Sequence, residues 1–223
     1  MTNQKMRTKD ALIIYPKDFT NALQTESLFE EMYFRVSQER QDHITETDIN
    51  ISDVVVFVGE DYLSYDEDTL QTILGWAIVN NTLIFGLGDA NSLILEYMSI
   101  DYVKVEGHNL PNNQVHNILT MDGEEIFIPS KHVTLPLLDE FAYYNSKKEY
   151  ESLVEVAALA PEQKISTKDK IKVWAEILVI KSIKYIGVYG APELFFDYIL
   201  EAGDNDISET TIQFIESLLT DLL

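Results

Sequence analysis

The side chains able to do chemistry fall into small groups. The four histidines are His43, His108, His116 and His132. A metal centre built on a helix needs two of them as His-x-x-x-His, or one as Glu-x-x-His, and none stands at that spacing. Each therefore reads as a surface or loop histidine, and no metal is expected. A second candidate is the turn Gly86-Leu87-Gly88-Asp89-Ala90, where an apolar run meets a helical one. Such a turn can expose a nucleophile or aim helix N-terminal amides at an anion. A serine nucleophile would need Gly-x-Ser-x-Gly, and Ser92 instead falls inside the following helix. A dinucleotide fingerprint, Gly-x-Gly-x-x-Gly, would need glycine where Asn91 stands. Cysteine is absent from all 223 residues. Its absence removes disulfides, thiolate metal sites and every thiolate nucleophile. No cofactor is expected, and no residue is assigned a catalytic role.

The elements that hold these residues can be read from hydrophobic patterning. Ala11 to Tyr15, Asp53 to Val58 and Thr82 to Gly86 are apolar runs rich in Val, Ile and Phe without polar alternation, as in parallel strands buried on both faces. Between them, Leu28, Phe29, Met32, Tyr33 and Val36, then Leu70, Ile73, Leu74, Ala77 and Ile78, have helical spacing. The alternation argues for βαβ units and a mostly parallel sheet flanked by helices. Short strands are expected at Tyr102 to Val105, Gln114 to Leu119 and Glu125 to Ile128, the last two joined by a turn at Met121 to Glu124. Beyond residues 139–148 the spacing predicts helices. Their stripes are Leu153, Val154, Ala157 and Ala158; Ile171, Trp174, Ile177 and Leu178; Leu194, Phe195, Tyr198 and Ile199; and Ile212, Ile215, Leu219 and Leu222. The expected organisation is thus α/β over residues 1–145 with an all-helical C-terminal subdomain over 146–223.

Three segments, taken in order, resemble the class I glutamine amidotransferases. The run from Asp53 to Asp61, with Gly59 and Glu60, resembles that family's strand followed by Gly-Gly-Glu-Asp. Thr82 to Ser92 falls where the family has a strand, the nucleophile elbow Gly-x-Cys-x-Gly and a helix. Ile128 to Val133, with His132, resembles its Ser-His-His-Gln stretch. The resemblance spans residues 10–136 and implies a flavodoxin-like core. It also implies a vestigial pocket of Gly59, Glu60, Gly86, Gly88, Asp89 and His132, with His108 on a loop bordering its mouth.

The departures bear on chemistry. Glutamine hydrolysis in the family needs a thiolate on a strained turn, a histidine to manage its proton and amides for the oxyanion. Gly88 stands at the nucleophile position, and the adjacent Asp89 carboxylate is a poor nucleophile toward an amide. Ala90 replaces the second elbow glycine, and Val58 replaces the first glycine of Gly-Gly-Glu-Asp, adding a Cβ near the expected pocket. The family's late His-Pro-Glu has its nearest counterpart in Ala160-Pro161-Glu162, with alanine for histidine and at too short a distance from His132.

A formal charge of −22, from 38 acidic and 16 basic residues, repels nucleic-acid phosphates and anionic membranes. No run approaches a membrane span, and the N-terminus carries no signal-peptide core. A cytoplasmic protein is expected. The acidity suits a basic protein partner, and self-association is also open; the last helix, from Glu201 onward, carries acidic residues and no lysine or arginine. These features point to a non-catalytic relative acting as a binding or structural component of an assembly. The resemblance extends to degenerate amidotransferase-like proteins of large bacteriophages, which implies a virion-associated role in a host cytoplasm. The alternative is a ligand-binding protein or enzyme subunit that keeps a remodelled pocket.

Overall fold

The computed structural model describes residues 8–17, 22–58, 65–97, 103–104, 115–120, 124–129, 136–139, 155–159, 165–167, 170–195 and 205–223. Strand β1 (Lys9–Tyr15) leads to helix α1 (Leu23–Glu31), β2 (Phe34–Arg40), α2 (Glu46–Ile51), β3 (Val54–Phe57), α3 (Glu67–Val79), β4 (Leu83–Leu87) and α4 (Ala90–Tyr97). Then come β5 (Val103–Lys104), β6 (Val115–Thr120), β7 (Glu125–Pro129), β8 (Pro136–Asp139), β9 (Glu155–Leu159), β10 (Ile165–Thr167), β11 (Lys170–Ile180), β12 (Tyr185–Val188) and the closing helix α5 (Asn205–Leu222). The main sheet runs β2-β1-β3-β4-β12-β11-β9-β6-β7. Its pairs are parallel from β2 through β12 and antiparallel from β12 through β7.

Two apolar layers sandwich the sheet. One joins Leu12, Ile14, Val55, Phe57 and Ile84 to Leu70, Ile73, Leu74 and Ala77 of α3 and Ile94 and Leu95 of α4. The other joins Ala11, Ile13, Val54, Val56, Leu83 and Phe85 to Leu28 and Phe29 of α1 and Ile212, Ile215 and Leu219 of α5. Successive strand residues feed opposite layers, so the central strands are apolar throughout, as parallel strands covered on both faces must be. Phe29 anchors the second layer with edge-on contacts to Phe34 and Phe85, at centroid distances of 5.6 and 5.3 Å. Helix ends are fastened locally. Thr45 and Asp48 form a reciprocal capping box on α2, and the Asp66 carboxylate accepts from the Thr69 amide at 2.9 Å at the start of α3.

The expected strands at 11–15, 53–58 and 82–86 and the helix at 70–78 are found, as are the short strands near 103, 115 and 125. Two expectations are corrected. The stripe from Leu28 to Val36 is not one helix: α1 ends at Glu31 and Val36 lies on β2, an edge strand whose period of two is masked by Ser37 and Gln38. Nor is the C-terminal third an all-helical subdomain. Ala157 and Ala158 of the first stripe lie on β9 and the second stripe lies on β11, while Tyr198 and Ile199 of the third lie outside the described residues. The last, on α5, is a helix. The run Ile171-Lys-Val-Trp-Ala-Glu-Ile-Leu-Val-Ile180 satisfies a helical template because it is densely apolar. Its β-branched residues suit a strand better, and Ile177, Leu178, Val179 and Ile180 feed the two core layers in turn. Strands from both sides of the expected 145/146 boundary share one sheet, with β12 seated directly beside β4.

Candidate functional site

The carboxyl ends of β3, β4 and β12 are neighbours, with Phe57, Gly86 and Gly187 in register across the three strands. In an open parallel sheet that edge is where ligands bind. At its centre β4 turns directly into α4. Gly88 takes a left-handed conformation, φ 56°, which a glycine adopts without a Cβ penalty. Its amide donates to the Val188 carbonyl at 2.9 Å, tying the turn to β12.

Beneath the turn lies a buried amide. Asn91 is fully enclosed, and its Nδ2 donates to the carbonyls of Gly88 at 3.0 Å and Val188 at 2.9 Å. Its Oδ1 accepts from the Tyr185 hydroxyl at 2.7 Å. One carboxamide thus links the elbow, the neighbouring strand and a buried phenol. Two glycines make room for it. A Cβ on Gly86 would sit 1.9 Å from Asn91 Oδ1, and one on Gly187 would sit 2.2 Å from the Tyr185 hydroxyl and 2.9 Å from Asn91 Oδ1. Gly86 is a glycine for close packing, Gly88 for its backbone angle.

At the end of β3, Val58 turns its side chain into the second core layer and is 3% exposed. The Tyr65 hydroxyl donates to the carbonyls of both Ile14, at 2.8 Å, and Val58, clamping the ends of β1 and β3 together. Burial pushes the Tyr65 phenol up, so it stays protonated and serves as a donor. At the end of β12 the chain continues as Tyr189-Gly190-Ala191-Pro192-Glu193. The Ala191 amide donates to the Pro129 carbonyl at 2.8 Å, and residues 192–194 form a short 3₁₀ turn. Ala191, Pro192 and Glu193 are all buried.

Among the sequence-expected site residues, Gly86, Gly88 and Asp89 are together at the elbow, with Gly88 and Asp89 half-buried. Gly59, Glu60 and His132 lie outside the described residues, as do His108 and the Ala160-Pro161-Glu162 tripeptide. Val58, expected to add a Cβ near the pocket, packs into the second core layer. Ala160 to Glu162 follow β9, which is separated from β4 by β11 and β12. A second Ala-Pro-Glu, at 191–193, follows β12, the strand beside β4. Its signal was the apolar run Tyr185 to Val188 immediately before it. Asn91 and Tyr185 were missed entirely. His43 is on the surface, its Nδ1 3.2 Å from Glu39 Oε1 and its Nε2 3.0 Å from Arg40 Nη2. Among the described residues no group of three His, Asp or Glu is placed to hold a metal, and no helix is long and apolar enough to cross a membrane.

The arrangement defines an α/β sandwich protein whose strand β4 ends in a glycine elbow. That is the fold of the class I glutamine amidotransferases. A glutamine amidotransferase from Thermotoga maritima shares it with a TM-score of 0.61 at 12% identity, over 97% of this chain and 98% of its own. A chain of PurLQS from the same organism gives 0.66 at 14%, over 97% and 100%. The glutaminase domain of Trypanosoma brucei CTPS, solved with bound acivicin, gives 0.60 at 10%, over 96% and 94%. No protein-family model and no curated protein matches the sequence. The likeness is one of fold, and coverage this complete includes β9 to β12 and α5 within it.

Proposed function

We propose that this protein is a non-catalytic member of the amidotransferase-like fold, acting as a binding or structural component of a larger assembly of the kind large bacteriophages encode. The observation that carries the reading is Gly88. The elbow keeps its left-handed turn, with φ 56°, yet the residue on it has no side chain to attack a carbonyl. Three further features support it. Ala191, three residues past the end of β12, has no side chain that could serve as a base. Leu87 and Val58, each 3% exposed, extend the core up to the strand ends. The Asn91 carboxamide fills the space beneath the turn with bonds the protein makes to itself. A carboxamide neither titrates in the working pH range nor attacks an amide, so it supplies rigidity and no chemistry.

The reading is tested by ammonia release from glutamine. The unaltered chain should give none above buffer, and Gly88→Cys should also give none while Ala191 remains, because no base is restored. Steady release by the unaltered chain, lost on His132→Ala, would overturn the proposal. Size-exclusion chromatography with light scattering on native source material should recover the protein in a large defined complex. A lone monomer there would favour the second reading, a ligand held at the half-exposed Gly88-Asp89 mouth.

A further inference from the structure

Away from the elbow, α3 and α4 lie side by side and leave a surface groove of about 210 Å³ lined by Glu67, Leu70, Gln71, Leu93, Glu96 and Tyr97. Its floor is aliphatic: Leu70 is buried and Leu93 half-buried, while Glu67, Gln71, Glu96 and Tyr97 are exposed around the rim. Glu67 accepts from Gln71 Nε2 at 3.2 Å, which holds that carboxylate at the edge. Among the described residues no lysine or arginine lines the groove. At the neighbouring turn of α3 stands Gly75, where an added Cβ would come 3.9 Å from the Tyr97 hydroxyl; the missing side chain leaves the approach to the ring open.

Size and lining select the occupant. Drug-sized ligands fill cavities of roughly 300 Å³ and more with mostly apolar walls, and this groove is smaller and carries two carboxylates. A long basic side chain fits the pattern: its methylene stem lies along Leu70 and Leu93, and its cationic head reaches Glu67 and Glu96 beside the Tyr97 ring. Charge complementarity acts at longer range too, since exposed Asp66 and Asp68 flank the groove and the whole chain carries −22. We propose that the α3–α4 groove is a docking site for an arginine or lysine side chain presented by a protein partner. This rests on the reading of the chain as a binding component and names the chemistry of what it binds.

The test uses the full chain, ¹⁵N-labelled, titrated at low salt with the peptide acetyl-Gly-Gly-Arg-Gly-Gly-amide and with its norleucine counterpart. The arginine peptide should shift amides of Leu70, Gln71, Leu93 and Tyr97, and the norleucine peptide should not. The double variant Glu67→Gln/Glu96→Gln, whose substitutions are isosteric and exposed, should bind about five- to tenfold more weakly, as two partly solvated ion pairs allow. Added salt should weaken the unaltered chain in the same direction. Equal binding of the norleucine peptide, shifts scattered over the acidic surface, or an unchanged affinity in the double variant would each overturn the proposal. A concentration-dependent dimer abolished by the double variant would overturn it by assigning the groove to a second copy of this chain. Ammonia release bears only on the catalytic reading, so the two can fail separately.

Discussion

Replacing Asn91 is the sharpest probe of how this elbow is built. Asn91→Ala removes three buried hydrogen bonds, to the carbonyls of Gly88 and Val188 and from the Tyr185 hydroxyl. Both carbonyls keep one backbone donor: the Val188 oxygen accepts from the Gly88 amide at 2.9 Å and the Gly88 oxygen from the Asn91 amide at 3.3 Å. The loss is therefore set by three bonds at about 1 kcal/mol each. A small void adds to this, for an expected total of about 3–4 kcal/mol. Urea unfolding followed by tryptophan fluorescence should show this as a lower midpoint with an unchanged slope. Combined with Tyr185→Phe, the losses should fall short of additivity by about 1 kcal/mol, because the second change then removes a donor whose acceptor is already gone. Asn91→Asp is a stricter test. One carboxylate oxygen would face the two carbonyls, so the folded state favours the protonated acid and its pKa rises above the unfolded value. The variant's stability is then greatest below the unfolded pKa and falls by about 1.4 kcal/mol per pH unit until the folded pKa is passed. If Asn91→Ala costs under about 1 kcal/mol, or Asn91→Asp unfolds with no pH dependence beyond that of the parent, the buried amide does not hold the elbow.

Gly75→Ala should raise stability by about 0.5–1 kcal/mol, since a mid-helix glycine is replaced and the new methyl meets only ordinary contact at 3.9 Å; a lower melting temperature would contradict the open space drawn there. Asp66→Ala should lower the melting temperature near neutral pH. Hydrogen bonds from the Thr69 side chain and amide hold the Asp66 carboxyl below its ordinary range, so its contribution is present above the unfolded pKa and lost as pH falls through the folded one. The gap between parent and variant should therefore close in acid, and a gap that persists there would refute the cap. A chain truncated after Lys148 loses β11 and β12, leaving β4 without one parallel neighbour and the second core layer without α5; circular dichroism should show no cooperative unfolding. A truncated chain that melts cooperatively would restore the idea of a separate C-terminal subdomain.

Much of the first half of the fold was open to reading from residues alone. Val54 to Val58 and Leu83 to Gly86 carry no polar side chain, as a strand covered on both faces requires. The helix between them carries its buried residues at helical spacing. The elbow was legible for the same local reason: glycines, then a helical stripe. The absence of cysteine excludes a thiolate nucleophile without any structure. β2 was hidden because an edge strand can alternate polar residues such as Ser37 and Gln38, and β11 because a dense apolar run satisfies both periods at once.

What the sequence determined by itself was local: which segments are apolar, which turns need glycine, and which nucleophile is missing. What only the tertiary structure decided was proximity. Gly86 and Gly187 lie 101 positions apart in number yet are paired across β4 and β12, and both are glycine because Asn91 and Tyr185 share the space between them. Hydrophobic period is a property of one segment. The seat of β12 beside β4 is a property of long-range pairing and burial, which no window of sequence contains.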